Sequence, residues 1–271
     1  MACAMHRAAT VWPQGYHCTM PKHLTILTGA SRGMGLAMAR QLLRPGHTLL
    51  CISRSPHSTL AQEASAQGCT LESWEQDLAQ PEQAATRLRE WLQRTAAGAY
   101  ASATLINNAG VIPPIAPLSA SAAADLAMAL RVGLEAPMLL CAAFLGATEG
   151  WGVPRKVLNI SSGLGRRPMA SQAAYCAAKA GMDHFTRCMA LDEARKPLGA
   201  KVCSLAPGVI DTDMQVQLRS AAPEAFPDVQ NFAQLQSSGM LSSAPEAAAR
   251  VLAWLDRPDF GAQPVADVRE A

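Results

Sequence analysis

The chain has 271 residues, 49% of them apolar and 16% charged, and a formal net charge of +2. That length suits one large α/β domain with a substantial core. So small a charge, with only 5% aromatic residues, argues against a nucleic-acid surface or a polybasic membrane patch. No unbroken apolar run reaches the roughly 18 residues of a membrane helix, so neither nucleic acid nor membrane is expected as a partner. The eight cysteines are scattered, with no C-x-x-C pair and no Cys/His cluster. They read as reduced thiols of a cytoplasmic protein, and no metal site is expected. Residues 1–21 lack acidic side chains and a long apolar core. They read as a disordered extension, with Met20 as the natural start and residues 22–271 as the domain.

From Leu24 onward, short apolar runs alternate with amphipathic segments. Leu24–Thr28 is a predicted strand and Gly33–Leu43 a helix closed by Pro45-Gly46. His47–Ser53 is a second strand and Ser58–Gln67 a helix. Cys69–Glu75 is a third strand, and Pro81–Thr95 a helix with proline near its start. Thr104–Asn107 is a fourth strand, followed by a helix-rich stretch from Ser121 to Leu145. Lys156–Ser161 is a fifth strand, Ser171–Ala194 a long Ala-rich helix, and Lys201–Leu205 a sixth strand. Residues 211–243 are polar and small, and read as an inserted flap over the site. Pro245–Leu255 is a last helix and Val265–Val268 a seventh strand. Repeated β-α units predict a single-domain, Rossmann-type doubly wound parallel sheet of about seven strands with helices on both faces. In such a sheet, ligands bind beyond the carboxyl ends of the strands.

The first strand runs straight into Gly29-Ala30-Ser31-Arg32-Gly33-Met34-Gly35. The G-x-x-x-G-x-G spacing at a first β-α junction is a variant of the dinucleotide fingerprint, in which backbone N–H groups and the helix dipole hold a pyrophosphate. An NAD enzyme usually carries Asp or Glu at the end of the second strand, for the ribose hydroxyls. Here that segment is Cys51-Ile52-Ser53-Arg54-Ser55. Arg54 and Arg32 suit a 2′-phosphate instead, so NADP(H) is favoured over NAD(H).

Tyr175 and Lys179 stand one helical turn apart on one face of the Ala-rich helix. An isolated tyrosine has a pKa of about 10, and a neighbouring ammonium is expected to bring it toward the range useful for proton transfer. Upstream, the fifth strand ends in Ser161-Ser162, which puts hydroxyls at the sheet edge.

The Thr28–Gly35 loop, Asp77-Leu78, Asn107-Asn108-Ala109-Gly110, Ser162, Tyr175 with Lys179, and Pro207-Gly208 occur in the order that identifies a short-chain dehydrogenase/reductase. The resemblance spans Leu24 to Val268. It implies that Asp77 and Leu78 lie by the adenine and that Asn107 to Gly110 support the cofactor. It also implies that Pro207 to Thr212, with Gly208 and Ile210, wrap the nicotinamide. Ser31, Arg32 and Met34 belong to the phosphate loop. The implied mechanism has Ser162 binding the carbonyl oxygen, Tyr175 giving the proton, and Lys179 tuning the phenol. One departure stands out: Gly133 of Arg131-Val132-Gly133-Leu134 occupies the place of an Asn that the family uses in a water-mediated proton relay.

The segment from Pro207 to Gln215 and the tail from Phe260 are similar to the sepiapterin reductase and benzil reductase branch. In that branch a carboxylate near the C-terminus anchors the pterin. Glu270 aligns closest to it, with Asp267 three residues earlier, and an exposed chain end is the simpler account of both. Asp211 and Asp213 are too few ligands for an oxygen cage. His184 falls off the catalytic face and is expected to be structural. The expected activity is NADPH-dependent reduction of a small carbonyl compound of diketone, quinone or pterin type. The alternatives are a non-catalytic NADP-binding sensor and an NAD-dependent alcohol dehydrogenase. The resemblance implies a homodimer or homotetramer.

Overall fold

The structure, a computed structural model, describes residues 22–270 of the chain, so the extension read at residues 1–21 lies outside the described residues. Seven strands, β1 (His23–Thr28), β2 (His47–Ser53), β3 (Thr70–Glu75), β4 (Ser102–Asn107), β5 (Arg155–Ile160), β6 (Lys201–Ala206) and β7 (Val265–Asp267), form one sheet. Their order is β3-β2-β1-β4-β5-β6-β7, and every pairing is parallel. The central strands are buried on both faces, which is why they read as continuous apolar runs and not as alternating ones.

Helices α1 (Gly33–Leu42), α2 (Leu60–Ala66) and α9 (Ala244–Leu255) cover one face. On the other lie α3 (Pro81–Arg94), α4 (Ala123–Leu130), α5 (Ala136–Thr148) and α6 (Ala173–Glu193). The strand order turns back between β1 and β4, so their carboxyl ends diverge to leave a crevice.

Two expectations change here. The stretch after β4 is helical from Ala123 to Trp151, and it is long and apolar enough to cross a membrane. Counting unbroken apolar runs missed it, because single charges such as Arg131 and Glu135 interrupt the run without lowering its average much. Half of its most apolar window is buried inside the fold, with Ala136, Leu140 and Phe144 in the core beside α3 and the sheet. The helix is also not continuous: Arg131–Glu135 widen into a π turn between α4 and α5. Such turns need a local reason. Gly133 sits buried in it, and a Cβ there would stand 3.0 Å from the Ala178 Cβ. The missing side chain thus lets the π turn lie directly on α6, one residue before Lys179.

The flap is more structured than its composition suggested. It holds α7 (Asp213–Arg219) and α8 (Val229–Ser237) and has a small core of Leu218, Phe226 and Val229. Ile112, Ile115 and Met169 pack against that core from outside the flap. A parallel bridge between Ile210 and Ser242 closes its neck. Two further bonds tie it down: Gln217 Nε2 donates to Pro113 O (3.2 Å), and Ser171 Oγ donates to Ala225 O (2.5 Å).

Candidate active site

At the end of β1 the chain must turn sharply into α1. Gly29 has φ of +72°, and a Cβ there would lie 2.9 Å from the Ala109 Cα, so only glycine fits. A Cβ on Gly35 would stand 2.0 Å from the Gly29 carbonyl oxygen. The first turn of α1 therefore folds back onto the loop that precedes it. No side chain caps α1, whose N-cap is Arg32. Its free amides, with the cradle left by Gly29, Gly33 and Gly35, fit a pyrophosphate.

The turn after β4 is bolted to this loop. Thr28 Oγ1 accepts from the backbone N–H of Asn108 (2.9 Å) and of Ala109 (3.0 Å). Asn108 Nδ2 donates back to Thr28 O (3.0 Å) and Gly29 O (3.3 Å). Asn107 faces inward, where it donates to Asn159 Oδ1 (2.9 Å), and Asn159 donates to Thr186 Oγ1 (2.9 Å). That chain of amides joins β4, β5 and α6. Gly110 lies at the far end of the turn, where an added Cβ would be 4.0 Å from the Lys179 ammonium.

Ser162, Tyr175 and Lys179 meet at the carboxyl edge of β5. Lys179 Nζ donates to Ile160 O (2.7 Å) and lies 5.8 Å from the centre of the Tyr175 ring. Ser162 directly follows Ser161 and Ile160; its Oγ accepts from Leu164 N (3.2 Å) and stands near enough to Tyr175 to pull the phenol's pKa down. Tyr175 and Lys179 are 8% and 4% exposed. Burial pushes the phenol above its ordinary value, against the pull of the Ser162 bond. This reverses the expectation from the sequence, in which the ammonium lowers it: desolvation of the phenolate sets the direction. Burial also brings the Lys179 amine down to about 8, with Asp183 working the other way. At neutral pH both groups hold their protons, the resting state needed by a proton donor.

A pH dependence follows. Lys179 stays charged below its pKa of about 8 and loses its proton above it, while the phenol, raised from 10.0, is still protonated. In the reductive direction kcat/KM should hold level to about pH 8 and then fall tenfold per unit. A profile that stays flat to pH 10 would remove Lys179 from the proton path.

The remaining candidates sort by position. Arg54 stands exposed just past β2, with no ion-pair partner among the described residues. Arg32 pairs with Asp213 of the flap (2.9 Å), and the two side chains are 70% and 78% exposed. Asp77 Oδ1 accepts from Ala79 N (2.9 Å), and Leu78 is buried against the sheet. Ser31 is half-buried and Met34 buried in the core. Beyond β6, Pro207 and Gly208 lead to Ile210 at the flap neck, and Thr212 Cγ2 lies 4.0 Å from where a Gly33 Cβ would be. The loop after β6 thus reaches the phosphate loop.

Asp211 pairs with Arg219 (3.4 Å) and Asp213 with Arg32, so each aspartate faces a guanidinium and not a shared cation. Asp267 is buried and held by Arg269 (2.6 Å), and Glu270 is exposed. His184 lies on the solvent side of α6, outside the core.

One buried group went unnoticed in the sequence. Asp183, 1% exposed, sits one turn beyond Lys179 and accepts from Ser161 Oγ (2.6 Å) and Ser204 Oγ (2.7 Å). The signal was there: a carboxylate on the same helical face as Tyr175 and Lys179, among Ala174, Ala178 and Met182.

Known proteins resemble this chain over most of its length. The short chain dehydrogenase family model matches residues 23–223. A benzil reductase ((S)-benzoin forming) of Bacillus cereus is 34% identical over 235 residues, covering 87% of this chain and 94% of that protein. A sepiapterin reductase of Meriones unguiculatus is 31% identical over 246 residues, covering 87% and 92%. A solved short-chain dehydrogenase/reductase from Burkholderia vietnamiensis superposes with a TM-score of 0.63 at 33% identity, covering 93% of this chain and 99% of that one. Sequence and backbone likenesses therefore agree, and the chain belongs to the short-chain dehydrogenase/reductase family, among relatives that include benzil and sepiapterin reductases.

Proposed function

We propose that this oxidoreductase is an NADPH-dependent reductase of a small apolar carbonyl compound, with an aromatic or vicinal diketone as its substrate class. The observation that carries the reading is the convergence of Ser162, Tyr175 and Lys179 beside the glycine-lined loop. Gly29, Gly33 and Gly35 with the free end of α1 would hold the pyrophosphate, Arg54 a 2′-phosphate, Asp77 and Leu78 the adenine side, and Asn108 to Gly110 with Pro207 to Thr212 the nicotinamide side. A bound nicotinamide supplies the hydride that no protein side chain can.

The chain's own groups do the rest. Ser162 donates to the substrate oxygen as negative charge gathers there. Tyr175, protonated at rest, gives its proton to that oxygen. Lys179 faces the phenolate left behind and stabilises it with its ammonium.

Substrate class follows from what surrounds these groups. In the chain Leu164 and Met169 lie between Ser162 and Tyr175, and Met169, Ile112 and Ile115 pack on the flap core of Leu218 and Phe226, which gives that side of the fold an apolar character. Of the two carboxylates that could anchor a pterin, Asp267 is held by Arg269, while Glu270 is exposed at the chain end. The likeness to benzil reductases supports the same choice. By analogy with the family, we also propose a homodimer or homotetramer in the cytoplasm.

The test is NADPH oxidation with benzil-like diketones, quinones and pterins. Diketones should give the highest kcat/KM, and turnover of pterins alone would reject the substrate class. The cofactor choice is tested with Arg54→Ala. Loss of a charge-assisted bond to phosphate, worth about 1.5–3 kcal/mol, should raise KM for NADPH roughly tenfold to hundredfold and leave KM for NADH nearly unchanged. Equal changes for the two cofactors would refute the assignment.

A further inference from the structure

Two residues of α6, one turn apart, grip the end of β5. Lys179 Nζ takes Ile160 O at 2.7 Å, and Asp183 Oδ1 takes the Ser161 hydroxyl at 2.6 Å. The next residue is Ser162. The same Oδ1 receives Ser204 Oγ from β6 at 2.7 Å, so one carboxylate oxygen joins two strand ends to the helix that carries Tyr175. Its other oxygen has no hydrogen-bond partner among the described residues, and Arg166 Nε stands 3.8 Å away. Gly165 is packed so closely that a Cβ there would lie 2.8 Å from that oxygen and 3.0 Å from Lys179 O.

Nothing in the proposed proton transfer needs this carboxylate, yet burying one is expensive without charge and hydrogen-bond partners. The charged and titratable groups around it are Lys179 on its own helix and Arg166 in the turn after β5. Cys203 lies on β6 and, beyond Arg166, Asp267 on β7 is already held by Arg269. Asp183 thus faces two cations, Arg166 at ion-pair distance and, one helical turn away, the more deeply buried Lys179.

We infer that Asp183 is a positioning residue, which locks Ser162 against Tyr175 through Ser161 and serves as the counter-charge of the buried Lys179 ammonium. This rests on the reductase reading above. The two effects separate chemically. An asparagine at 183 keeps an oxygen acceptor for both serine hydroxyls and removes only the charge. An alanine at 161 keeps the charge and releases the strand end.

The experiment compares wild type, D183N, S161A and S161T in NADPH-dependent diketone reduction. Thermal melting and NADPH fluorescence titration are run alongside. For D183N the alkaline limb of kcat/KM should move down by about one pH unit, because the ammonium has lost a nearby opposite charge. Its NADPH affinity should stay within about threefold of wild type. S161A should lose about tenfold in kcat with KM for NADPH unchanged, and S161T, which keeps the hydroxyl, should regain most of that loss. An unmoved limb in a folded D183N, or wild-type kcat in S161A, overturns the assignment. If D183N does not fold, the S161A and S161T pair decides it. Failure of the reductase reading looks different: wild type itself would then show no turnover, or none that depends on Tyr175.

Discussion

Tyr175→Phe will lower kcat by about 10²- to 10⁴-fold and leave NADPH binding and the melting temperature almost untouched. The magnitude is that of losing a positioned acid in a proton-transfer step. The selectivity comes from the geometry. The hydroxyl is the only atom removed, the ring stays buried in α6, and Lys179 keeps its bond to Ile160 O. Ser162→Ala should follow with a loss of about 10²- to 10³-fold, as expected when one donor to a developing oxyanion is deleted. Tyr175 and Ser162 act on the same oxygen, so the double variant should be little worse than Tyr175→Phe alone. Steady-state kinetics on a diketone, with cofactor titration as control, decide the matter. A Tyr175→Phe protein with wild-type kcat would show that the proton comes from elsewhere.

Gly35→Ala should act on the opposite half of the site. An added methyl carbon would lie 2.0 Å from the Gly29 oxygen and 2.5 Å from Asn108 Nδ2. The first contact is to backbone, so the loop and α1 must separate. Forced overpacking of this kind costs about 1–3 kcal/mol of stability. The larger effect should be on cofactor affinity, which should fall more than about a hundredfold because the phosphate cradle and the α1 amides lose their register. Gly146→Ala is the matched control. It lies on the exposed side of α5 with nothing within 4 Å of the new atom. Removing a helical glycine there should stabilise the protein by about 0.5–1 kcal/mol. Differential scanning calorimetry and NADPH titration on the two variants should give opposite signs in stability and a large difference in affinity. Unchanged affinity in Gly35→Ala would mean that the cofactor is not held at this loop.

The sheet was legible because a strand buried on both faces leaves an unmistakable apolar run, as in Leu24–Thr28 and His47–Ser53. The pairing of Tyr175 with Lys179 was legible because helical spacing alone puts them on one face. What escaped depends on partners far along the chain. Arg32 and Asp213 are 181 residues apart, and Asp183 meets its hydroxyl donors from β5 and β6 only after the sheet has formed. Helices α7 and α8 are short and take much of their support from Ile112, Ile115 and Met169, so their own sequence says little. The direction of the Tyr175 shift was misjudged for the same reason. Spacing reveals a neighbouring charge, but burial is a property of the assembled fold.

The flap carries a core of its own, Leu218, Phe226 and Val229, and narrows to a single bridge between Ile210 and Ser242. A segment built this way would swing as one piece only by releasing its Pro113 and Ser171 bonds and its contacts to Ile112, Ile115 and Met169. Its outer tie to the phosphate loop, Arg32 to Asp213, is exposed enough to be exchanged at little cost. A swing of that unit would gate product release on the microsecond-to-millisecond scale. Turnover should accordingly slow as glycerol thickens the solvent, and quicken as added salt screens that outer tie.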